Sequence, residues 1–357
     1  MNIRKIKHDK HSKQFSKSKN NSFRNRNKLL SLTINIASKL FLLFVFIFIY
    51  KVIFKENITI NNTSINYTNN NDNSNKNDYI SKLGIEKIHF DEFEVDRYNE
   101  IKNILIEKPC SAMWANQREF LNGVVRKLKP KKILEIGVEK GGSAIIILNA
   151  IKDIDNSKLY SIDLNSDENE VGKCVKNYFP EFMKNWELFI GNFASEFMEK
   201  IGNNIDMVFI DTSHLEPGEI LDFLIALPFL KKNAVVVFHD IAIQITHNQG
   251  RDEWAPYIIF NALRGKKYLP SGNNILTQDI GAIILDDNQE RYYQDYFRLL
   301  GGQWQYFPKE IYIDSVRNLF KKYYDKDCLT IFEEAVNFNR GFVKRNPKTL
   351  FDKNNSE

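Results

Sequence analysis

From Lys132 onward, short apolar runs recur between longer segments with helical spacing. Lys132–Ile136, Leu159–Leu164, Glu187–Ile190, Met207–Ile210 and Ala234–Phe238 read as strands, and Gly281–Leu285 supplies another. Between them lie an apolar helix start, Ser143–Ile151, and a helical pattern over Gly218–Leu230. Strands that are apolar along their whole length, rather than alternating, belong to a parallel sheet covered by helices on both faces. The pattern therefore predicts an α/β domain with a mainly parallel sheet. Residues 81–130 look helical and amphipathic up to Pro130, and the aromatic-rich stretch beyond Asn288 predicts a helical C-terminal extension packed on the core.

The N-terminal part follows other rules. Thr33–Phe54 is an apolar stretch whose centre, Leu40–Tyr50, has no polar side chain but the tyrosine hydroxyl. It just reaches the roughly 20 residues a membrane span needs. Lys39 and Lys51 flank the centre and can snorkel to the interfaces. No small-residue cleavage site closes the stretch, which favours an uncleaved anchor over a signal peptide. Residues 57–77 are rich in Asn, Ser and Thr and cannot bury enough surface to offset ordering entropy, so they read as a stalk. Four sequons fall there, beginning at Asn57, Asn61, Asn62 and Asn66, although an Asn-rich composition also generates sequons by chance. The organisation expected is a basic tail (1–32), an anchor (33–54), a stalk (55–80), a catalytic domain (81–290) and a helical extension (291–357).

Charge and cysteine usage narrow the classes. Residues 1–30 carry ten Lys/Arg and one acid, and subtracting their +9 from the chain's +5 leaves −4 for residues 31–357. A weakly acidic body argues against a nucleic-acid partner. The basic tail places the N-terminus in the cytoplasm and the rest of the chain across the membrane, a type II arrangement. The three cysteines, Cys110, Cys174 and Cys328, are scattered and odd in number. That spacing argues against a disulfide scaffold and suggests thiols acting as small hydrophobes.

The chemistry gathers at strand ends. Leu134-Glu135-Ile136-Gly137-Val138-Glu139-Lys140-Gly141-Gly142-Ser143 is a strand, a glycine-rich turn and a helix start. Glycine lets a ligand approach the backbone, and Ser143 is placed as a natural helix cap. The pattern is not G-x-G-x-x-G, and Glu135 suits a cationic ligand better than a pyrophosphate. Asp163 ends the next strand, where an acid can bond ribose hydroxyls. Phe209-Ile210-Asp211-Thr212-Ser213-His214 and Phe238-His239-Asp240-Ile241 each end an apolar strand in acid and imidazole. A lone strand-end Asp is as often a helix cap. Four successive strands ending in acids predict a shared crevice at the carboxyl edge of the sheet.

Together these residues resemble the class I S-adenosylmethionine-dependent methyltransferases, closest to bacterial sugar and natural-product O-methyltransferases, over roughly residues 110–290. The resemblance implies a Rossmann-like sheet with Glu135, Gly137, Gly141 and Ser143 around the methionine end of S-adenosylmethionine, Asp163 at the ribose and Asn192 near the adenine. It also implies His214, His239 and Asp211 as catalytic candidates, and Asp211 with Asp240 as ligands for Mg²⁺ in a metal-dependent variant. Thr212 stands where the family has glycine, Glu216 where an aromatic is common, and Ile241 where catechol-type relatives have an Asn ligand. The expected acceptor is a small molecule or glycan hydroxyl. An NAD-dependent oxidoreductase or sugar-nucleotide enzyme is the alternative, weakened by the missing dinucleotide fingerprint. A lumenal catalytic domain would need cytosolic cofactor delivered to it.

Overall fold

A computed structural model describes residues 85–88, 95–243, 253–271 and 279–345 of the chain. All lie in one unit, Asn73–Glu357. The tail at 1–32, the anchor at 33–54 and the stalk at 55–80 all lie outside the described residues. Among the described residues, no helix is long and apolar enough to cross a membrane.

Eight strands form one sheet: β1 (Ile85–Ile88), β2 (Lys132–Ile136), β3 (Lys158–Asp163), β4 (Trp186–Ile190), β5 (Ile205–Ile210), β6 (Leu230–His239), β7 (Gly265–Pro270) and β8 (Ile280–Leu285). Their order across the sheet is β1-β7-β8-β6-β5-β2-β3-β4. The run from β6 to β4 is parallel throughout, whereas β8 is antiparallel to both β6 and β7. Chain order reverses between β2 and β5. In an open α/β sheet that switch point is where a crevice opens beyond the strand ends.

The helices are α1 (Val95–Glu107), α2 (Ala115–Leu128), α3 (Gly142–Ile151), α4 (Lys173–Tyr178), α5 (Met198–Ile201), α6 (Gly218–Ala226), α7 (Ala255–Ala262), α8 (Tyr293–Arg298), α9 (Glu310–Tyr323) and α10 (Lys326–Arg345). Period-two alternation explains why both faces of the sheet need helices. Ile133, Met207, Phe209, Val235 and Val237 point into one apolar cluster with α1, α2 and α3. Their neighbours Leu134, Val208, Ile210, Val236 and Phe238 point into another with α6, α9 and α10. Each such side chain, once buried, contributes roughly 1.5–3 kcal/mol. The extension expected beyond residue 290 thus shares a core with the sheet.

Three expectations need correction. Residues 81–130 are not helical throughout: β1 opens the segment and a loop separates α1 from α2. Strand β7 escaped the sequence pattern because its polar Lys266 and Lys267 and terminal Pro270 do not make an apolar run. Cys110 and Cys174 are not independent thiols but form a disulfide, 64 residues apart with Cα atoms 5.9 Å from each other. Both sulfurs are brought together by the packing of α4 beside the 108–114 loop, which no local spacing encodes. Cys328 is free and buried.

Candidate active site

The glycine turn is shaped by close backbone approaches. Gly137 has φ +91°, and a Cβ there would lie 1.8 Å from the carbonyl oxygen of Asp211 on the neighbouring strand end. A Cβ on Gly142 would meet the Cys110 carbonyl oxygen at 2.5 Å and Ser111 Cβ at 2.4 Å. Only glycine lets β2 turn over the end of β5 and lets α3 start against the 110–113 segment.

Asp163 organises that turn. The Val138 and Glu139 amides both donate to its Oδ2 at 2.9 Å, and the Asn165 amide donates to Oδ1 at 2.9 Å. A carboxylate has about four acceptor sites, so one remains for a ligand hydroxyl. Beneath the turn, Glu135 is fully buried and accepts a hydrogen bond from Ser143 Oγ at 2.6 Å and another from Ser161 Oγ. Burial pushes its carboxyl up to about 7 in spite of those bonds. Ser143 is therefore not a cap. It lies inside α3, whose cap position is Gly141.

At the ends of β5 and β6 the acids and imidazoles converge. His214 Nε2 lies 3.0 Å from Asp240 Oδ2 and 3.4 Å from Asp211 Oδ1. His239 Nδ1 lies 3.1 Å from Asp240 Oδ2 and 3.4 Å from Asp211 Oδ2. Neither ring nitrogen of His239 has an aligned hydrogen-bond partner, although the ring is buried. Asp240 adopts φ +54°, a conformation uncommon for a residue with a side chain and one that clusters at functional sites.

Two carboxylates that face the same imidazoles repel each other, and one would stay protonated unless positive charge intervened. The histidines change that outcome. Burial would raise Asp211, but His239 and His214 outweigh it and hold the carboxyl at about 2. Burial opposes protonation of His214 too, yet Asp211 and Asp240 raise it to about 11. Asp240 is held low and His239 high for the same reasons. The cluster is a compensated set of two anions and two cations.

Both regions open into one cavity of about 830 Å³. That is toward the large end of the roughly 300–1,000 Å³ typical of small-molecule sites. Gly137, Ser143, Asp163, Asn192, Asp211, His214, His239 and Asp240 all line it. Glu135 and Gly141 do not. Glu135 sits behind the wall, where it holds Ser143 and Ser161, and Gly141 faces Val175 on α4. They support the site without lining it, a correction to the contacts expected of them.

Several lining residues gave no signal in the sequence. Asp222, in the middle of α6, accepts a bond from Thr212 Oγ1 at 2.8 Å, and burial pushes its carboxyl up to about 7. Beside it Glu219 is buried and pushed up to about 8. Acids within a helix look like surface residues until the fold turns them inward. Tyr306, Phe307, Pro308, Lys309 and Tyr312 come from the C-terminal extension, more than 60 residues beyond the last motif.

Comparison with known proteins bears on this geometry. Residues 134–241 match the family described as "Methyltransferase domain". A search of curated proteins finds no match. Among solved structures, the chain is similar to the O-methyltransferase TomG from Streptomyces achromogenes, at 20% identity over 59% of this chain and 96% of that one, with a TM-score of 0.39. It is similar to an O-methyltransferase from Bacillus cereus at 16% identity over 58% and 96%, TM-score 0.41. A methyltransferase from Podospora anserina gives 16% over 62% and 99%, TM-score 0.37. The family match favours no oxidoreductase. It spans the glycine turn, Asp163, Asp211, His214 and the His239-Asp240 pair, so residues 134–241 form a methyltransferase domain.

Proposed function

We propose that this domain methylates a hydroxyl of a small acceptor, a sugar or glycan unit among the candidates. One observation carries the reading: a single cavity joins the glycine turn and Asp163 to the Asp211–His214–His239–Asp240 cluster. Methyl transfer is a displacement. The acceptor oxygen bonds the methyl carbon as the carbon–sulfur bond breaks, the electron pair goes to sulfur, and the hydroxyl proton must leave. An acid–imidazole cluster at one end of the cavity is where a hydroxyl can be oriented and that proton received. His214 and His239 are the base candidates, with Asp211 orienting them; either receives the proton only in its neutral form, which a cation bound at Asp211 and Asp240 would favour by offsetting the acids that hold the imidazoles protonated.

The same cluster fits a divalent cation. Asp211, His214 and Asp240 each offer one ligand atom, and these atoms lie within 4.8 Å of one another. Two carboxylate oxygens with one imidazole nitrogen suit Mn²⁺ as well as the Mg²⁺ expected from the resemblance. A bound ion would neutralise the acids and lower the pKa of a neighbouring hydroxyl.

The remaining organisation belongs to the same proposal: a tail at 1–32, an anchor at 33–54, a stalk at 55–80 and the catalytic domain beyond, oriented as type II. The Cys110–Cys174 disulfide supports this orientation, since disulfides persist in oxidising compartments. Calorimetry tests the core of the reading. S-adenosylhomocysteine should bind and NAD should not, and the reverse would replace methyl transfer with the oxidoreductase alternative. Labelled cofactor then reports turnover of acceptors. If an ion takes part, EDTA abolishes labelling and Mg²⁺ or Mn²⁺ restores it, while Asp240→Asn keeps cofactor affinity but loses turnover. Full labelling in EDTA leaves the histidines alone as the base.

A further inference from the structure

We propose that the C-terminal segment 306–312 completes the adenine subsite, with Phe307 and Tyr312 as cofactor-binding residues. This inference rests on the S-adenosylmethionine reading above.

The sheet order sets the direction in which the cofactor lies. Asp211 follows β5, Gly137 follows β2, Asp163 ends β3 and Asn192 follows β4, and these strands are successive neighbours in the sheet. The reacting methyl belongs at the acid–imidazole cluster beyond β5 and the ribose at Asp163. The base therefore extends past Asp163 toward β4, the edge of the sheet. Besides carboxylates and imidazoles the cavity is lined by Leu164, Phe193, Phe307, Pro308 and Tyr312, and Tyr312 stacks on Phe193, which follows β4. Asn165 and Asn192 also line it and offer amide groups. A purine has apolar faces and a polar edge, and aromatic walls beside amides match both.

Phe307 and Tyr312 lie outside the matched region, which ends at residue 241. They are nonetheless built into the site. The Phe193 and Tyr312 rings stack with centroids 5.5 Å apart and planes 18° from parallel. Ser195 Oγ and Ser315 Oγ share a hydrogen bond of 2.6 Å, and Lys322 pairs with Glu199 at 2.8 Å, so α9 is held against the segment that follows β4. At the other end, the Gln305 amide donates to the Glu216 carbonyl at 3.0 Å, and the Glu216 amide donates to Gln305 Oε1 at 2.9 Å. Tyr306 Oη lies 3.1 Å from Ser213 Oγ, two residues from Asp211. The segment is thus tied beside the reacting end and beside the base end, and it crosses the cavity between them.

The test is calorimetry on the full chain with S-adenosylhomocysteine and with adenosine. Tyr312→Ala and Phe307→Ala should each weaken both ligands by about tenfold, as loss of a base-stacking ring does. Tyr312→Phe should retain affinity, and so should Ile311→Ala, since Ile311 is 70% exposed. In Tyr312→Trp, adenosine should quench the added fluorescence. Affinity of Tyr312→Ala within twofold of the unaltered chain overturns the proposal. An unquenched Tyr312→Trp overturns it even where the alanine variant fails to fold. An unaltered chain that binds neither ligand overturns the cofactor reading itself, and this inference with it.

Discussion

At the scale of single residues, the site depends on groups that bond the backbone as much as on groups that face the cavity. Asp163 accepts three amide bonds and keeps one acceptor position for a ribose hydroxyl. Asp163→Ala should therefore weaken S-adenosylhomocysteine binding by at least about 1–3 kcal/mol, through the lost charge-assisted bond and a loosened turn. Unchanged affinity in a folded variant would remove Asp163 from the cofactor site. Glu135 makes a prediction of the opposite kind. Its folded-state pKa of about 7 lies above the ordinary carboxylate value, so the fold favours the neutral acid. That contribution is complete below the unfolded pKa and is lost as pH rises through about 7, a difference of about 3 kcal/mol. Glu135→Gln, which stays neutral and can still bond both serines, should flatten stability between pH 5 and 8. Denaturation by urea at the two pH values measures it, and an unchanged pH slope would show that Glu135 is ionised throughout.

At the scale of elements, the disulfide ties the segment before α2 to α4, and both flank the glycine turn. Cys110 lines the cavity, and its carbonyl sits against Gly142. The bridge closes a loop across a separation of 64 residues. Loop-closure entropy puts its contribution near 4 kcal/mol at most, with measured bridges commonly about 2–4. Cys110→Ser with Cys174→Ser should lower unfolding free energy by that amount and make the native protein insensitive to reductant. A double variant as stable as the unaltered chain would mean that the two thiols are not paired in solution. The spacing of the cysteines did not disclose this bridge, because pairing depends on where α4 docks. The strands, by contrast, were visible as apolar runs, since burial on both faces leaves no polar position to break them.

At the scale of the whole molecule, the proposed anchor at 33–54 poses the question of which side of a membrane the domain would occupy. The +9 tail predicts that residues 1–30 stay in the cytoplasm, with the domain across the bilayer. Protease protection of tagged termini in sealed membranes should find the C-terminus shielded and the N-terminus cut. The reverse accessibility would overturn the type II reading and return the domain to the cofactor's own compartment.

By itself the sequence determined the α/β class, the parallel core from β2 to β6 and the strand-end positions of Gly137, Asp163, Asp211 and Asp240. These are local signals: apolar period, glycine placement and the residue where a strand stops. Only the tertiary structure decided that Glu135 lies behind the wall, that Asp222 turns inward and that the two histidines balance the two acids. It alone brought Tyr306–Tyr312 over the cavity and joined Cys110 to Cys174. Each of these depends on the side of an element that packs inward and on the docking of segments distant in the chain. Neither is written in the spacing of neighbouring residues; both follow from the burial of apolar faces that the packed helices and sheet share.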